Sequence, residues 1–289
     1  SSVSFSGQTT RLTQAEELYS ALNSSEATES GLDLMFNGDA NLSAGFADAS
    51  LNGTSKIIGK KTAASTLAGS ATTKQMFDDM IADYANNVVP NWASDAGPGQ
   101  PGAISTPDGA STYHLNAEGQ ELDQLFFKGL IGAFTLDQIV NNYIHPNQLD
   151  SGTRIEDNDN GVLSGDNNYT DMEHKWDEGF GYLYGLEGDN LANAGASPSG
   201  SGSLLMKYFK KVNDDGGYEP GIGQVVYDAF IMGRTAIVNK DYDLRDQQAA
   251  IIKVELSKVI GYYAIHYMND YVAKLEAGNI AKAHHSLSE

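Results

Sequence analysis

Leu122, Leu125, Phe126, Leu130, Phe134, Ile139, Val140 and Tyr143 recur at three- and four-residue steps, the period that lines one face of a helix. They predict a long core helix that begins near Asn116 and breaks near Gly132. The segment 242–275 repeats the pattern with Ile251, Ile252, Val254, Leu256, Val259, Ile260, Tyr263, Ile265 and Tyr267, its polar residues falling on the other face. Stretches 13–23, 72–88, 170–186, 204–213 and 223–238 are shorter candidates of the same kind, and a last helix starts near Gly278. Alternation with a period of two is nearly absent. The expected class is therefore all-α, with helical hairpins packed as bundles. Gly-, Ser- and Pro-containing stretches at 94–112, 150–168 and 194–203 read as long irregular loops, and none is a clear interdomain linker. The expectation is one all-α domain over 1–289, in two pseudo-repeated halves of about 1–190 and 191–289, the second cut short.

Charge narrows the function classes. The 289 residues carry 18 Lys+Arg against 38 Asp+Glu, a net charge of −20 with a pI near 4.5. Such a surface repels a phosphate backbone, so no nucleic-acid partner is expected, and an anionic membrane surface is disfavoured for the same reason. With no cysteine, disulfides, thiolate metal sites and cysteine nucleophiles are excluded. No run approaches the ~18 apolar residues of a transmembrane helix, and the first residues show no signal-peptide pattern. The chain reads as cytosolic or as a mature exported form. Its acidic, Gly- and Asn-rich composition favours export.

Two His-x-x-x-Glu pairs carry candidate chemistry: His174/Glu178 and His285/Glu289. At i and i+4 on a helix, an imidazole and a carboxylate share a face and can converge on one transition metal, with Asp177 and His266 as additional ligands. Hydrogen-bonded surface or core histidines explain the same residues without a metal. A duplicated bundle would bring the two pairs together. His145, before Pro146, reads as a helix-end cap. Glu255 and Asp137 lie on otherwise apolar helices, and the tyrosines near 182–184 and 262–271 read as core. Glu156-Asp157-Asn158-Asp159-Asn160-Gly161 has the alternating oxygens and the Gly of a calcium loop, but Asn167 stands where the bidentate Glu belongs; Asp157, Asp159, Asn160 and Asp166 would hold any Ca²⁺. No nucleophile elbow, phosphate-cradling loop or His-Glu-x-x-His is present, so no catalytic residue is assigned.

Gln8-Thr9-Thr10-Arg11-Leu12, Lys128-Gly129-Leu130-Ile131-Gly132-Ala133, Leu136-Asp137-Gln138-Ile139-Val140-Asn141-Asn142-Tyr143 and His174-Lys175-Trp176-Asp177-Glu178-Gly179-Phe180-Gly181-Tyr182 resemble an uncharacterised family of bacterial exported lipoproteins, itself similar to the imelysin-like proteins of the bacterial envelope. Imelysin-like proteins are associated with iron uptake and were once classed as metallopeptidases. The resemblance implies a duplicated all-α bundle, a periplasmic or outer-membrane surface location, an acylated cysteine upstream of Ser1, and a chain continuing past Glu289. Against the Gly-x-His-x-x-Glu motif of imelysin-like proteins, His174 aligns with Asp177 or Glu178 following, and Met172 replaces the Gly.

The leading expectation is a non-catalytic extracytoplasmic metal-binding protein linked to iron or haem acquisition. Iron comes first as cofactor, with zinc or copper as alternatives and Ca²⁺ at the acidic loop. The partners would be the metal or its complex and an outer-membrane uptake or surface complex. A cell-surface interaction protein without transition metal, and a metal-dependent peptidase using Glu178 or Glu289 as base, are the alternatives.

Overall fold

The structure, a computed structural model, describes residues 2–65 and 70–289; Ser1, before which an acylated cysteine was expected, lies outside them. In chain order the elements are α1 (Ser6–Leu22), α2 (Glu29–Asn37), α3 (Ser70–Asp83) continued by a π-helical turn at Tyr84–Val88, β1 (Gly102–Ser105), β2 (Thr112–Leu115), α4 (Leu122–Leu130) continued as π-helix over Ile131–Leu136 and Gln138–Tyr143, α5 (Pro146–Leu149), α6 (Arg154–Asp159), α7 (Asp171–Tyr184), α8 (Leu205–Asn213), α9 (Ile222–Val238), α10 (Tyr242–Glu276) and α11 (Ile280–Ser288). The class is all-α. No helix among the described residues is long and apolar enough to cross a membrane. The chain clusters into two compact units that interleave along the sequence, residues 1–13, 63–68 and 132–262 in the first and 14–62, 69–131 and 263–289 in the second. Neither follows a boundary near residue 190.

Three local expectations need correcting. The long helix starts at Leu122, not near Asn116. The Asn116 side-chain oxygen accepts the N–H groups of Glu118 (3.1 Å) and Gln120 (2.8 Å), a local turn that competes with helix, and Gly119 takes a left-handed φ of 80°. Within 94–112 the chain forms β1, which pairs antiparallel with β2 in the register Ala103↔His114 and Ile104↔Tyr113. Within 150–168 the would-be calcium loop is the helix α6.

The first unit packs around α7 and α9. Thr170 and Glu173 form a reciprocal capping box that starts α7,. Trp176, Phe180 and Tyr184 then point one turn apart into a ring cluster with Phe230 of α9, and Trp176 Nε1 donates to the Phe230 carbonyl at 2.9 Å. The indole occupies the space where a side chain at Gly233 would stand, so α9 approaches only because that position lacks a Cβ. Tyr182 and Tyr184 are core, as expected. In the second unit Phe36, Phe77 and Phe126 make edge and tilted contacts at 5.1–6.1 Å between centroids. Tyr19 stacks on Phe127 beside them.

Candidate functional site

In the second unit the end of the chain folds onto the start of α4. Gly278, at φ 70°, stops α10, and the Asn279 side chain then accepts the Lys282 N–H at 3.2 Å to start α11,. α11 presents Ser288, whose Oγ accepts the Glu121 N–H at 2.9 Å. This contact sets the Glu121 carboxylate 2.6 Å from His285 Nδ1, while His285 Nε2 faces Glu289 at 3.3 Å. Glu289 in turn pairs with Lys128 at 2.8 Å and accepts the Tyr267 hydroxyl at 3.1 Å. Burial of the ring pulls the His285 pKa down, but the hydrogen bond and charge of Glu121 with the charge of Glu289 outweigh it, and the net movement is upward,. The ring thus lies between two carboxylates that both favour its protonated form.

A cleft of about 340 Å³ opens beside it. Its walls are rings: Trp92 stacks on His114 at 3.5 Å and Tyr113 on His285 at 4.5 Å between centroids, and Tyr84 closes the inner side. Burial holds His114 below its ordinary pKa, so it is neutral at pH 7. The polar lining includes Glu121, Asp123 and Gln124. Asp123 sits in the first turn of α4, only 6% exposed, beside Glu121 at 5%. Its carboxylate accepts Gln124 Nε2 at 2.9 Å, and no Lys, Arg or His among the described residues lies within ion-pair distance of it. Burial first and the Glu121 charge second push its pKa up to about 7, against the reach of the helix dipole that favours an anion at this end. A larger concavity of about 480 Å³ lies on the hairpin and the 116–119 turn, but His284 and Glu118 are its titratable side chains, and His284 Nδ1 is taken by the Gly119 carbonyl at 2.7 Å.

The other His-x-x-x-Glu pair belongs to the first unit. His174 and Glu178 share a face of α7, as predicted. Glu178 is held by Lys175 at 2.7 Å and Gln8 at 3.1 Å, and His174 stacks on Tyr169 at 4.7 Å. Asp177, 1% exposed, accepts Arg234 Nε at 3.0 Å and the Ser4 N–H at 3.2 Å, and Arg234 also pairs with Glu173 at 2.6 Å. Burial raises the Asp177 pKa to about 6 although Arg234 pulls it down. For Glu178, burial pushes up, but the Lys175 charge and hydrogen bond, the His174 charge and Gln8 prevail, and its pKa is lowered.

These donor sets do not fit a transition metal. A ligand nitrogen needs a free lone pair, and both nitrogens of His285 face carboxylates, Glu121 at 2.6 Å and Glu289 at 3.3 Å. His285 also stands between Glu121 and Glu289, so one cation cannot meet all three. Around His174 the carboxylates are matched by Lys175 and Arg234. Among the described residues no group of three or more His, Asp or Glu is placed to hold a metal ion. His266 is exposed on α10 beside Tyr263 and Tyr267. The calcium reading fails geometrically: Asp157, Asp159 and Asn160 lie on or at the end of α6 and radiate around its axis, instead of converging from a wrapping loop. Asp159 accepts the Tyr242 hydroxyl at 2.6 Å, Asp157 accepts Thr153 Oγ1 at 2.6 Å, and Asp166 is exposed. His145 caps α5, its Nδ1 accepting the Asn147 N–H at 3.1 Å. Glu255 pairs with Lys258 and Asp137 accepts the Ser65 N–H.

A family described as a domain of unknown function, DUF4856, matches residues 1–289. The chain belongs to that family. No curated protein and no solved structure matches it. The cleft residues Trp92, Tyr113, Glu121 and Asp123 were not singled out from sequence. The available signal was the pair Glu121-Leu122-Asp123 at the mouth of the strongest apolar period: two acids within one turn of a helix that the same period buries.

Proposed function

We propose that this protein is a non-catalytic binding protein of the bacterial envelope, and that its ligand is a small organic molecule held in the ring-walled cleft of the second unit. The observation that carries the reading is the convergence of two buried carboxyl groups, one of them without a cation among the described residues, on a half-open cleft lined by Trp92, Tyr113 and Tyr84. Convergent polar groups beside aromatic rings are features of small-molecule sites, and here Asn23, Ser111, Thr112, Glu121, Asp123 and Gln124 make the lining more polar than apolar. Burying Asp123 beside Glu121 is costly, and the side-chain donor that meets it is a neutral amide, that of Gln124,. The acidic composition and the resemblance to exported, imelysin-like proteins support the envelope setting.

Ligand-observed NMR with a library of small fragments tests the reading. Hits that lose their signal in both Trp92→Ala and Asp123→Asn place the site in the cleft. Hits unaffected by either substitution would put the ligand elsewhere and end this reading.

A further inference from the structure

The cleft's charge count names a ligand class. Glu121 has one cation, His285, and that cation is shared with Glu289. Asp123 meets the neutral Gln124 amide and local backbone N–H groups, with no cation among the described residues. Facing Asp123 and Glu121 are Tyr19 from α1, Tyr84 from the turn after α3, His285 from α11 and, further along α4, Lys128, which is spent on Glu289. His114 across the cleft is neutral. Of the two buried acids only Glu121 meets that half-claimed positive charge, and Trp92, Tyr113 and Tyr84 line the cleft among polar groups, one face of Trp92 stacked on His114 and one face of Tyr113 on His285. Aromatic faces attract a cation through their quadrupole. Carboxylate and rings around one small space are complementary to an organic ammonium group.

Resting on the cleft being the ligand site, we propose that it takes an organic cation, a primary amine carried on an apolar or aromatic body, with the ammonium group paired to Asp123 and the body against Trp92 and Tyr113. Asp123 is partly protonated near neutral pH, whereas an alkylammonium stays charged there. Pairing therefore ionises Asp123, and its proton leaves to bulk buffer: carboxylic acid plus ammonium becomes carboxylate–ammonium pair plus one released proton. A neutral ligand of the same shape releases none.

The probes are benzylamine and its neutral isostere benzyl alcohol, titrated calorimetrically into the full chain at pH 7 in two buffers of different ionisation enthalpy. Benzylamine should bind at least about tenfold more tightly than benzyl alcohol, a difference of ~1.4 kcal/mol. Its apparent enthalpy should differ between buffers by an amount that corresponds to a fraction of one proton released. Asp123→Asn, close in shape, should abolish the buffer dependence and weaken benzylamine about tenfold; Trp92→Ala, on the half-exposed wall, should weaken it while keeping the proton release. Equal binding of the two probes, both lost in Trp92→Ala, would overturn the ammonium assignment and leave the cleft as a ligand site. Benzylamine binding untouched by either variant would overturn the assignment and the cleft together. Absence of benzylamine binding at millimolar concentration would overturn the ammonium assignment, with the fragment screen deciding the broader reading.

Discussion

Asp177 and Asp123 are two aspartates buried to nearly the same degree and treated differently. Asp177 meets Arg234 and the Ser4 N–H, and Arg234 also takes Glu173, so two acids share a guanidinium. Asp123 meets an amide and lies beside a second acid. Arg234 brings two charges into one fixed planar geometry; nothing equivalent stands at Asp123. The first arrangement completes a fold. The second leaves a charge deficit at the edge of an open space, and such unmatched titratable groups cluster at functional sites.

Removing Arg234 should have the largest effect. Arg234→Ala leaves the buried Asp177 and the half-buried Glu173 without their cation, and chemical denaturation should show a loss of about 3–5 kcal/mol. A loss below about 1 kcal/mol would mean that Asp177 is not held as described.

Asp123→Asn should act in the opposite direction. Because the folded-state pKa of Asp123 is raised to about 7, the native state holds a proton that the unfolded chain gives up near pH 4. Stability therefore falls as pH rises from about 4 through 7. The raised His285 pKa adds the same sign, its contribution being complete below about pH 6.5 and lost as pH passes the folded value. At pH 8 the Asn variant should be more stable by roughly 1–3 kcal/mol, since each pKa unit is worth ~1.4 kcal/mol, with a flatter pH profile. A destabilised variant with an unchanged profile would contradict the account.

His285→Gln sharpens the comparison by taking from Glu121, the acid beside Asp123, the partner it shares with Glu289. A cost of about 2 kcal/mol is expected in wild-type background and a smaller one in Asp123→Asn, the difference being the coupling energy of a double-mutant cycle. Additive effects would separate the two groups.

The smallest expected effect is that of a chelator. Excess EDTA should move the Tm by less than about 1 °C, because among the described residues no group of three or more His, Asp or Glu is placed to hold an ion that would stabilise the native state,. Elemental analysis of chelator-free protein should find no stoichiometric iron, zinc or copper. One equivalent of metal lost in His174→Ala or His285→Ala would return the histidine–carboxylate pairs to the role first expected of them.

The helices were legible because their apolar residues keep a period of three to four: α10 and α7–α9 lie within a few residues of their expected bounds. The start of α4 was not, since Asn116 has the side chain of a cap but spends it on its own turn. The hairpin escaped because four-residue strands such as Gly-Ala-Ile-Ser carry no alternation. At the site, helix geometry correctly put His174 with Glu178 and His285 with Glu289. The period along one helix is silent about what faces it. Arg234, Lys175, Glu121 and Lys128 reach these pairs from other turns and other helices, and they decide that the pairs are ion networks. Asp123 was invisible for the same reason: its neighbour Glu121 is local, but the absence of a cation is a property of the packed unit.

The most direct measurement is the titration of the Asp123 carboxyl carbon by NMR, assigned through Asp123→Asn and followed with and without benzylamine. A midpoint near 7 that falls on addition of the amine is the predicted result. A midpoint in the ordinary aspartate range near ~4, unmoved by the amine, would contradict the claim that this cleft holds a buried acid waiting for a cation.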